Sequence, residues 1–522
     1  MSGRKMINIF IDEKSLEVEE GTTVFQAAEQ AGISVPHLCY HPALPPEGSC
    51  RMCLVEIEGM PKLELACSTV VREGMKISTQ NQKVKEARKG VLEFLLAEHP
   101  IDCPICDKAG ECKLQDYYEE YGMFESRFEE NKERKEKTIF LGKNLILDQE
   151  RCVLCTRCVR FLKDITKTDE LGVFHRGMHS EVNIYDLHPV DNNYSGNLAQ
   201  ICPVGAITDI DFRFKTRTWF LDEGASLCPL CSRGCNIFIE HHRGFSRFSL
   251  PKRIFRIKGR KNPDINGFWI CDLGRYGYSY IDKERLDNIE TNSNHRYNTW
   301  DDAISFLSEK IKKLYHMRKT SRIALILNSW LSNEELFLID RIFKQDLGVK
   351  KIFFADLPDG DSDGFLLTEE RSPNRRGAQE VGFGLSSVTG EDLVDDVDLL
   401  LIFGPFLWEH PALSGVKAAL NGIKTTVLFT PTAGELNSLV DIVLPVSPIP
   451  EKAGSLTNVD GIVQRFYPAL EVQGNCLPEW GILLKVAREL KIDFKYYSRF
   501  DSPDDIFKEM SREINFFGEN SE

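Results

Sequence analysis

The decisive stretch of this chain reads Cys152-Val153-Leu154-Cys155-Thr156-Arg157-Cys158, and after 43 further residues it continues with Cys202-Pro203-Val204-Gly205. Three cysteines with two residues between each pair, and a fourth at a distance, are spaced as thiolate ligands of one metal centre. A disulfide framework would spread its cysteines along the chain instead. The stretch therefore predicts a metal centre held by Cys152, Cys155, Cys158 and Cys202.

The spacing of these cysteines matches half of a two-cluster bacterial ferredoxin. Such a ferredoxin carries two Cys-x2-Cys-x2-Cys-x3-Cys-Pro runs, and each run lends its fourth cysteine to the other cluster. On this template the first run's fourth position is Leu162, and the second run's first three positions are Asn192, Ser195 and Leu198. Every ligand of one cluster is lost, whereas all four ligands of the other remain. We interpret the segment as a ferredoxin-like fold reduced to one [4Fe-4S] cluster.

A structural zinc site is the alternative for this segment, because four thiolates also suit tetrahedral zinc. A zinc site has no reason to keep the paired register of a two-cluster ferredoxin. The register therefore favours the iron–sulfur interpretation.

The distribution of the 16 cysteines extends the pattern along the chain. Fifteen lie before residue 272 and only Cys476 follows. Their tight groups are typical of metal sites in a reducing cytosol. The net charge of −14 argues against nucleic-acid binding. The sequence shows no signal or transit pattern and no stretch near the ~20 apolar residues of a membrane span, so we expect membrane association only through partners.

The segment 1–80 is predicted to form a β-grasp domain. Residues 6–11 alternate like a strand, and residues 16–19 continue a hairpin. Thr22 or Thr23 can cap the helix that follows. Strand, hairpin, helix and ligand loop is the element order of a β-grasp ferredoxin.

The ligand loop of this domain reads Cys39-x10-Cys50-x2-Cys53-x13-Cys67. Plant-type [2Fe-2S] ferredoxins use Cys-x4-Cys-x2-Cys and a distant cysteine, so the pattern is shared although the first gap is wider here. His37 and His41 flank Cys39 and raise the alternative of a Rieske centre, which needs two histidines and two cysteines. Four cysteines are already present, so we expect the histidines to pack in the loop or around the cluster.

A second ligand set follows a helix predicted to begin at Asn81 and end at His99. The set reads His99-x3-Cys103-x2-Cys106-x5-Cys112. One histidine and three cysteines also suit zinc, and the segment by itself leaves both metals open. Its place between two iron–sulfur patterns favours a [4Fe-4S] cluster with one imidazole ligand, in a segment spanning 81–120.

The last set is Cys228-x2-Cys231-x3-Cys235, with Cys271 after 35 more residues. It predicts a further [4Fe-4S] domain over 221–277, after the ferredoxin-like domain over 121–220. Eight Lys and Arg residues between Arg243 and Lys261 predict a basic β-hairpin, and docking to an acidic partner is the alternative.

The segment 278–522 is predicted to form an α/β domain with a parallel, doubly wound sheet. Strand-like runs recur at 323–327, 351–354, 399–403, 426–429 and 442–444, with helical stretches between several of them. Residues 360–395 are predicted to be loop, because they are rich in Asp, Gly and Ser. Neither a Gly-x-Gly-x-x-Gly run nor a P-loop occurs, so the domain carries no nucleotide signature.

Taken in order, the four sets resemble the large, G-type iron–sulfur subunit of bacterial respiratory complex I, NADH–quinone oxidoreductase. The resemblance is carried by Cys39, Cys50, Cys53 and Cys67; His99, Cys103, Cys106 and Cys112; Cys152, Cys155, Cys158 and Cys202; and Cys228, Cys231, Cys235 and Cys271. Residues 272–522 resemble a shortened form of that family's molybdopterin oxidoreductase-like domain, through the stretches 266–275 and 451–464. Two departures are the short C-terminal part and the long gap before Cys271.

The resemblance implies one [2Fe-2S] cluster, three [4Fe-4S] clusters, no molybdenum and no catalytic residue in this chain. Hydride carries two electrons and iron–sulfur clusters take one each, so FMN and NADH are expected in a partner flavoprotein subunit. Electrons would enter at the [2Fe-2S] cluster, pass to the ferredoxin-like cluster and then to the His-ligated one, and leave for a small ferredoxin-like [4Fe-4S] subunit leading to quinone. The family also implies a peripheral place on the cytoplasmic side of the bacterial inner membrane.

Two other kinds of NAD-linked complex share parts of the pattern. An [FeFe]-hydrogenase shares the first two sets but needs two ferredoxin clusters and a further cysteine set, and only Cys476 follows residue 271. A molybdenum formate dehydrogenase shares the Cys-x2-Cys-x3-Cys run but needs a larger catalytic region. The iron–sulfur subunit of such a complex is therefore the alternative function, and a scaffold role is the alternative for the C-terminal domain.

Overall fold

The structure is a computed structural model, and it describes residues 5–122, 125–185, 188–242, 253–292, 297, 299–394, 396–404 and 413–519. The chain divides into two compact units, Met1–Leu221 and Asp222–Glu522. The finer domain boundaries given above stay predictions. Within the described ranges, no helix combines the length and the apolar character that crossing a bilayer requires.

The first unit begins with a five-stranded sheet. Ile7, Ile9 and Ile11 are buried and the residues between them are exposed, because successive side chains of a strand point to opposite faces. The strands are β1 (Met6–Ile11), β2 (Lys14–Glu19), β3 (Leu54–Ile57), β4 (Glu64–Leu65) and β5 (Lys76–Ser78), in the order β2-β1-β5-β3-β4. β1 and β2 form the predicted antiparallel hairpin.

Two capped helices flank the ligand loops of this unit. Thr23 is the N-cap of α1 (Val24–Gln30), and its side chain forms a capping box with Gln26. Asn81 begins α2 (Gln82–Glu98) by accepting a hydrogen bond from the Val84 amide, and His99 is the C-cap. Both predicted helix starts are confirmed, and they fix where the chain turns into each ligand segment.

The rest of the first unit consists of short elements around the decisive stretch. They are α3 (Lys113–Tyr121), β6 (Ile139–Phe140), β7 (Leu145–Leu147), α4 (Arg157–Arg160), β8 (Leu171–Phe174), β9 (Glu181–Ile184), α5 (Asn197–Ile201) and β10 (Ile207–Asp209). β7 pairs antiparallel with β10, with Leu147 opposite Ile207. Because β7 ends shortly before Cys152 and β10 begins shortly after Cys202, this pairing places the distant fourth cysteine beside the other three.

The second unit opens with a three-stranded sheet. Its strands are β11 (Leu221–Leu227), β12 (Asn236–His242) and β13 (Ile254–Gly259), in that order. β12 and β13 are antiparallel, as the predicted hairpin requires, but residues 243–252 of the basic run lie outside the described residues. Helix α6 (Asp272–Tyr276) follows, with Cys271 as its N-cap.

A six-stranded sheet forms the core of the second unit. Its elements in chain order are β14 (Glu290–Thr291), α7 (Trp300–His316), β15 (Ile323–Leu327), α8 (Asn333–Ile339), β16 (Lys351–Phe354), α9 (Arg375–Val381), α10 (Glu391–Val394), β17 (Leu399–Phe403), α11 (Leu413–Leu420), β18 (Thr425–Thr430) and β19 (Ile442–Pro445). The order is β14-β19-β18-β17-β15-β16, and β15 to β19 are parallel. All five predicted strands are present, and the order of β16-β15-β17-β18-β19 is that of a doubly wound sheet.

The prediction that residues 360–395 are loop is wrong for two parts of that range. Helix α9 buries Ala378 and Val381 against the core, and the short helix α10 lies near the end of the range. Asp, Gly and Ser disfavour helix only weakly, and burial of one apolar face outweighs that preference.

The unit ends with a hairpin and four helices. They are β20 (Gly454–Thr457), β21 (Val463–Phe466), α12 (Glu479–Leu490), α13 (Phe494–Tyr497), α14 (Pro503–Glu513) and α15 (Asn515–Glu519). Before β20, the buried Lys452 ammonium donates to Glu335 on α8, at 2.8 Å, and to Glu479 on α12, at 2.7 Å. This ion cluster ties the hairpin to the sheet domain.

Candidate iron–sulfur centres

The first ligand set lies on the loop between α1 and β3 and directly after β4. Its four cysteines are buried. The Cys39 and Cys50 thiols are hydrogen-bonded, and so are those of Cys53 and Cys67. The hydrogen bond from Cys50 lowers the pKa of Cys39 to about 5, and the charge of Cys39 in turn influences Cys67. The structure therefore brings all four predicted ligands together.

Backbone amides point at this set. The N–H groups of Leu38 and Cys39 both donate to Cys50 Sγ over 3.4 Å. Gly48 turns the loop with a φ of +74°, a conformation that suits glycine. Amide donors aimed at sulfur are what an anionic cluster needs, so the loop fits the cofactor.

His37 and His41 make contacts typical of loop packing. The His37 ring lies 3.0 Å from both the Val35 carbonyl oxygen and Lys113 Nζ, through different ring nitrogens. His41 Nδ1 accepts a hydrogen bond from the Ala43 amide. Burial lowers the pKa of His37 to about 4 and that of His41 to about 3, so both rings are neutral near pH 7.

The second set lies between α2 and α3. Cys106 and Cys112 are buried, and charge interactions link Cys106 to both Cys103 and Cys112. Burial lowers the pKa of His99 to about 4, and its Nδ1 is buried without a hydrogen-bond partner among the described residues. A neutral imidazole with an unpaired, buried nitrogen is suited to bind iron.

The second and third segments are joined beside these ligands. The Arg151 guanidinium donates to both carboxylate oxygens of Asp102, at 2.9 and 2.5 Å, and Arg151 is buried. A Cβ on Gly205 would lie 2.2 Å from Cys106 Sγ. Only glycine can therefore follow Cys202-Pro203-Val204 at this distance from the second set.

The third set is gathered at the start of α4 and the end of α5. Charge interactions connect Cys152, Cys155 and Cys202, and the charges of all three raise the pKa of Cys158. Burial raises the pKa of Cys152 to about 11 and that of Cys155 to about 12, and the charge of Cys202 adds to both shifts. Several thiolates crowded in apolar surroundings are unfavourable unless cationic metal lies among them, so the group fits a cluster.

The fourth set is buried inside the second unit. Cys271 Sγ accepts a hydrogen bond from the Gly274 amide, and a Cβ on Gly274 would lie 2.9 Å from Cys228 Sγ. Burial raises the pKa of Cys271 to about 12. Burial and the charges of the other three cysteines raise the pKa of Cys235. The four predicted ligands are therefore neighbours here as well.

The loop that carries the fourth set is hydrogen-bonded to the sheet domain. The Ser232 amide donates to the Glu370 carbonyl oxygen at 3.0 Å, and the Ser232 carbonyl oxygen accepts from the Val459 amide at 2.8 Å. Asn236 Nδ2 donates to Gln464 Oε1 at 2.6 Å. The set is thus built into the C-terminal part of the chain.

Among the described residues, no three His, Cys, Asp or Glu side chains converge as the ligands of one metal ion do. A [4Fe-4S] cluster instead takes one protein ligand for each iron. The sixteen ligands assigned from the sequence stay predictions, with residues that fit the cofactors.

The charged residues that link the sets were not predicted from the sequence. They are Asp102, Arg151, Arg157 and Arg160. The sequence nevertheless carried a signal of these links, since three of the four are arginines within ten residues of the cysteine run. Arginine is rarely buried unless it is paired, so arginines close to buried ligands point to such contacts.

Three family models match the first 208 residues. A 2Fe-2S iron–sulfur cluster binding domain matches residues 4–82, the NADH-ubiquinone oxidoreductase-G iron–sulfur binding region matches 88–127, and the ferredoxin-like domain of NADH-quinone oxidoreductase subunit 3 matches 142–208. Each match contains one of the first three predicted ligand sets. The chain therefore has one 2Fe-2S domain and further iron–sulfur domains of the 4Fe-4S type.

The similar proteins carry related names. The chain is 41% identical over 342 residues to the G subunit of NADH-quinone oxidoreductase of Rickettsia felis, covering 65% of this chain and 49% of that protein. It is 39% identical over 350 residues to the NADH-ubiquinone oxidoreductase 75 kDa subunit of Reclinomonas americana, covering 67% of this chain and 49% of that protein. The chain thus spans about half the length of these curated relatives.

A chain from a solved NAD+-reducing [NiFe]-hydrogenase is 32% identical and covers 41% of this chain and 91% of its own length, with a TM-score of 0.36, which is too low to show a shared arrangement. The matches in sequence are the informative ones. They show that the chain is similar to the NADH-quinone oxidoreductase G subunit over 65% of its length, and that it has 2Fe-2S and 4Fe-4S domains in its first 208 residues.

Proposed function

We propose that this chain is an electron-transfer subunit of the peripheral arm of NADH–quinone oxidoreductase. The observation that carries the proposal is that each of the three matched iron–sulfur regions contains one predicted ligand set whose cysteines lie close to one another. The fourth set and the α/β sheet of the second unit extend the same organisation to the C-terminal part.

The proposed ligands are the four sets named from the sequence, for one [2Fe-2S] and three [4Fe-4S] clusters. An iron–sulfur cluster accepts and releases one electron at a time. The chain contributes the surroundings: buried cysteines, amides directed at Cys50 and Cys271, and glycines where two ligand segments approach. Burial keeps water away from sulfur and lowers the local dielectric constant.

Buried contacts join the three ligand segments of the first unit. Arg160 hydrogen-bonds to the first and third ligand segments, and Arg151 joins the third segment to Asp102 beside Cys103. The first and second segments also meet, where Lys113 Nζ lies 3.0 Å from the His37 ring. The proposed order of transfer, with the third set between the other two, comes from the family resemblance.

The partners follow from what the chain lacks in sequence. It has no nucleotide signature, so we propose that a flavoprotein subunit binds FMN and NADH and that a small ferredoxin-like subunit receives the electrons. Attachment to the cytoplasmic side of the bacterial inner membrane would then come from other subunits of the complex.

For the second unit we propose a molybdopterin oxidoreductase-like domain without molybdenum. The fourth set is tied by hydrogen bonds to residues 366–370 and 458–464 of that domain. Its role is then to stabilise the fold rather than to lie on the main electron path. Metal ligation supplies folding free energy in this way.

Cys231→Ala tests that role. We expect the variant to lower the thermal unfolding midpoint of the second unit and the yield of assembled complex, because Cys231 is buried within the loop that meets the sheet domain. Turnover per assembled complex should stay within about twofold of the parent. A many-fold loss of turnover in complexes shown to be intact would place this centre on the electron path.

Metal analysis of the purified chain tests the proposed function. We expect about 14 irons per chain, without molybdenum or stoichiometric zinc. His99→Ala should lower the iron content to about 10, whereas His99→Cys, the matched control, should retain about 14 because thiolate is also an iron ligand. Stoichiometric zinc, or molybdenum with a pterin, would contradict the assignment.

A further inference from the structure

Two buried arginines lie between the first and third ligand sets. Arg160 Nη2 donates to the Cys39 carbonyl oxygen at 2.6 Å and to the Cys155 carbonyl oxygen at 3.1 Å. Its Nη1 donates to the Pro45 carbonyl oxygen. One guanidinium thus holds the backbone of two loops that carry ligands of different centres.

Arg157 repeats this arrangement one turn earlier. Its Nη2 donates to the Tyr40 carbonyl oxygen at 2.5 Å, and its Nη1 donates to the Ile201 carbonyl oxygen at 3.0 Å. Tyr40 follows Cys39 and Ile201 precedes Cys202. Arg157 therefore joins the same two centres through other residues.

The local fold aims both side chains in one direction. Residues three apart on a helix share a face, and Arg157 and Arg160 are the first and last residues of α4. Arg160 Nε also donates to Thr156 Oγ1 at 3.2 Å, which fixes the guanidinium plane. Thr156, at a φ of +57°, begins the helix directly after Cys155.

The nearest groups that could carry negative charge beside Arg157 are cysteine sulfurs. Arg157 and Arg160 are only 5% and 7% exposed, and within the described ranges neither has a carboxylate at ion-pair distance. The negative groups near Arg157 are Cys155, Cys202 and Cys39. Two unneutralised cations in a dry interior are costly unless anionic groups lie beside them.

We propose that Arg157 and Arg160, named here the arginine bridge, are positioning residues for electron exchange between the first and third centres. The hydrogen bonds of the bridge hold the two ligand loops together, and its positive charge raises the reduction potential of both centres because it stabilises the more negative, reduced state. This inference rests on the proposed function, since it requires clusters at both sets.

Variants that separate charge from geometry test the arginine bridge in the full-length, cluster-loaded chain. Arg157→Gln and Arg160→Gln remove a charge, whereas Arg160→Lys keeps the charge but cannot reach three carbonyl oxygens at once. Arg127→Gln is the matched control, because Arg127 pairs with Glu93 on the surface and is 71% exposed in its side chain. The readouts are iron content, redox-titrated EPR signals of both centres, and amide hydrogen exchange over residues 38–50.

For each Gln variant we expect the ratio of reduced to oxidised centre to fall about tenfold for both centres at a fixed ambient potential, which corresponds to about 59 mV. In Arg160→Lys the ratio should stay within about threefold of the parent, while amide exchange over residues 38–50 should rise at least about tenfold. Arg127→Gln should change none of the three readouts.

Three results would overturn the inference. They are a shift confined to one centre, unchanged titrations in fully loaded Gln variants, or unchanged exchange in Arg160→Lys. If a Gln variant loses iron, exchange in Arg160→Lys decides the outcome. A parent chain that never holds the first or third cluster would instead contradict the proposed function, and the arginine bridge would fail with it.

Discussion

Cys155→Ala is expected to abolish electron transfer from NADH to quinone in the assembled complex. Cys155 is buried among Cys152, Cys158 and Cys202, and its loss removes one thiolate from the centre that the proposed order of transfer places between the other two. Ferricyanide reduction by NADH should persist, since we propose that a partner flavoprotein performs it without this centre. The measurement compares both activities in the same preparation, together with an iron content lower by about four.

Cys476→Ala is the matched control for this experiment. Cys476 is the one cysteine outside the four sets, and its thiol donates to the Leu286 carbonyl oxygen at 3.1 Å. We expect full iron content and full quinone activity, because no ligand is lost. Full quinone activity in an intact Cys155→Ala complex would remove the third set from the path, and loss of iron in Cys476→Ala would invalidate the ligand assignment.

Lys452→Met is expected to lower the free energy of unfolding of the second unit by about 3–5 kcal/mol. The Lys452 ammonium is buried, and its only described anionic partners at ion-pair distance are Glu335 and Glu479, with side chains 0% and 6% exposed. Burial by itself lowers the pKa of Lys452, but the two carboxylates outweigh that effect and raise it, so the cation stays charged. Removing it leaves buried carboxylates without a counter-charge.

Urea denaturation followed by tryptophan fluorescence measures this effect. Five of the six tryptophans follow residue 221, so the signal reports mainly on the second unit. Lys283→Met is the matched control, because Lys283 and Glu284 pair at the surface with side chains 72% and 61% exposed, so its loss should change stability by at most about 0.5 kcal/mol. Equal losses of stability in the two variants would show that the buried Lys452 pairs contribute no more to stability than a surface pair.

A second comparison separates the charge from the packing of this cluster. Adding Glu335→Gln and Glu479→Gln to Lys452→Met removes the unpaired charges and should recover most of the lost stability. Glu335 also accepts a hydrogen bond from the Ser332 amide in the capping box of α8, and glutamine preserves that contact. If the triple variant were no more stable than Lys452→Met, buried charge would not be the cause.

The spacing of the cysteines in the sequence was enough to predict which residues form each ligand set. Cys152, Cys155 and Cys158 are separated by two residues, and a short backbone stretch can only present such thiols to one centre. The helix starts at Thr23 and Asn81 could also be predicted from the sequence, because a capping side chain bonds to an amide two or three residues away. The five parallel strands could be predicted for the same reason, since each buried run of apolar residues is a local feature.

Tertiary structure decided which ligand segments meet. Arg160 reaches Cys39 across 121 positions of the chain, and Arg151 reaches Asp102 across 49. No local sequence pattern predicts either contact, because both depend on how β7, β10 and the ligand loops pack. The helix α9 escaped prediction for a related reason, since burial of Ala378 and Val381 against the core outweighed a loop-like composition. Local geometry thus specified each ligand set, and long-range packing of buried charge and apolar surface specified how the sets are joined.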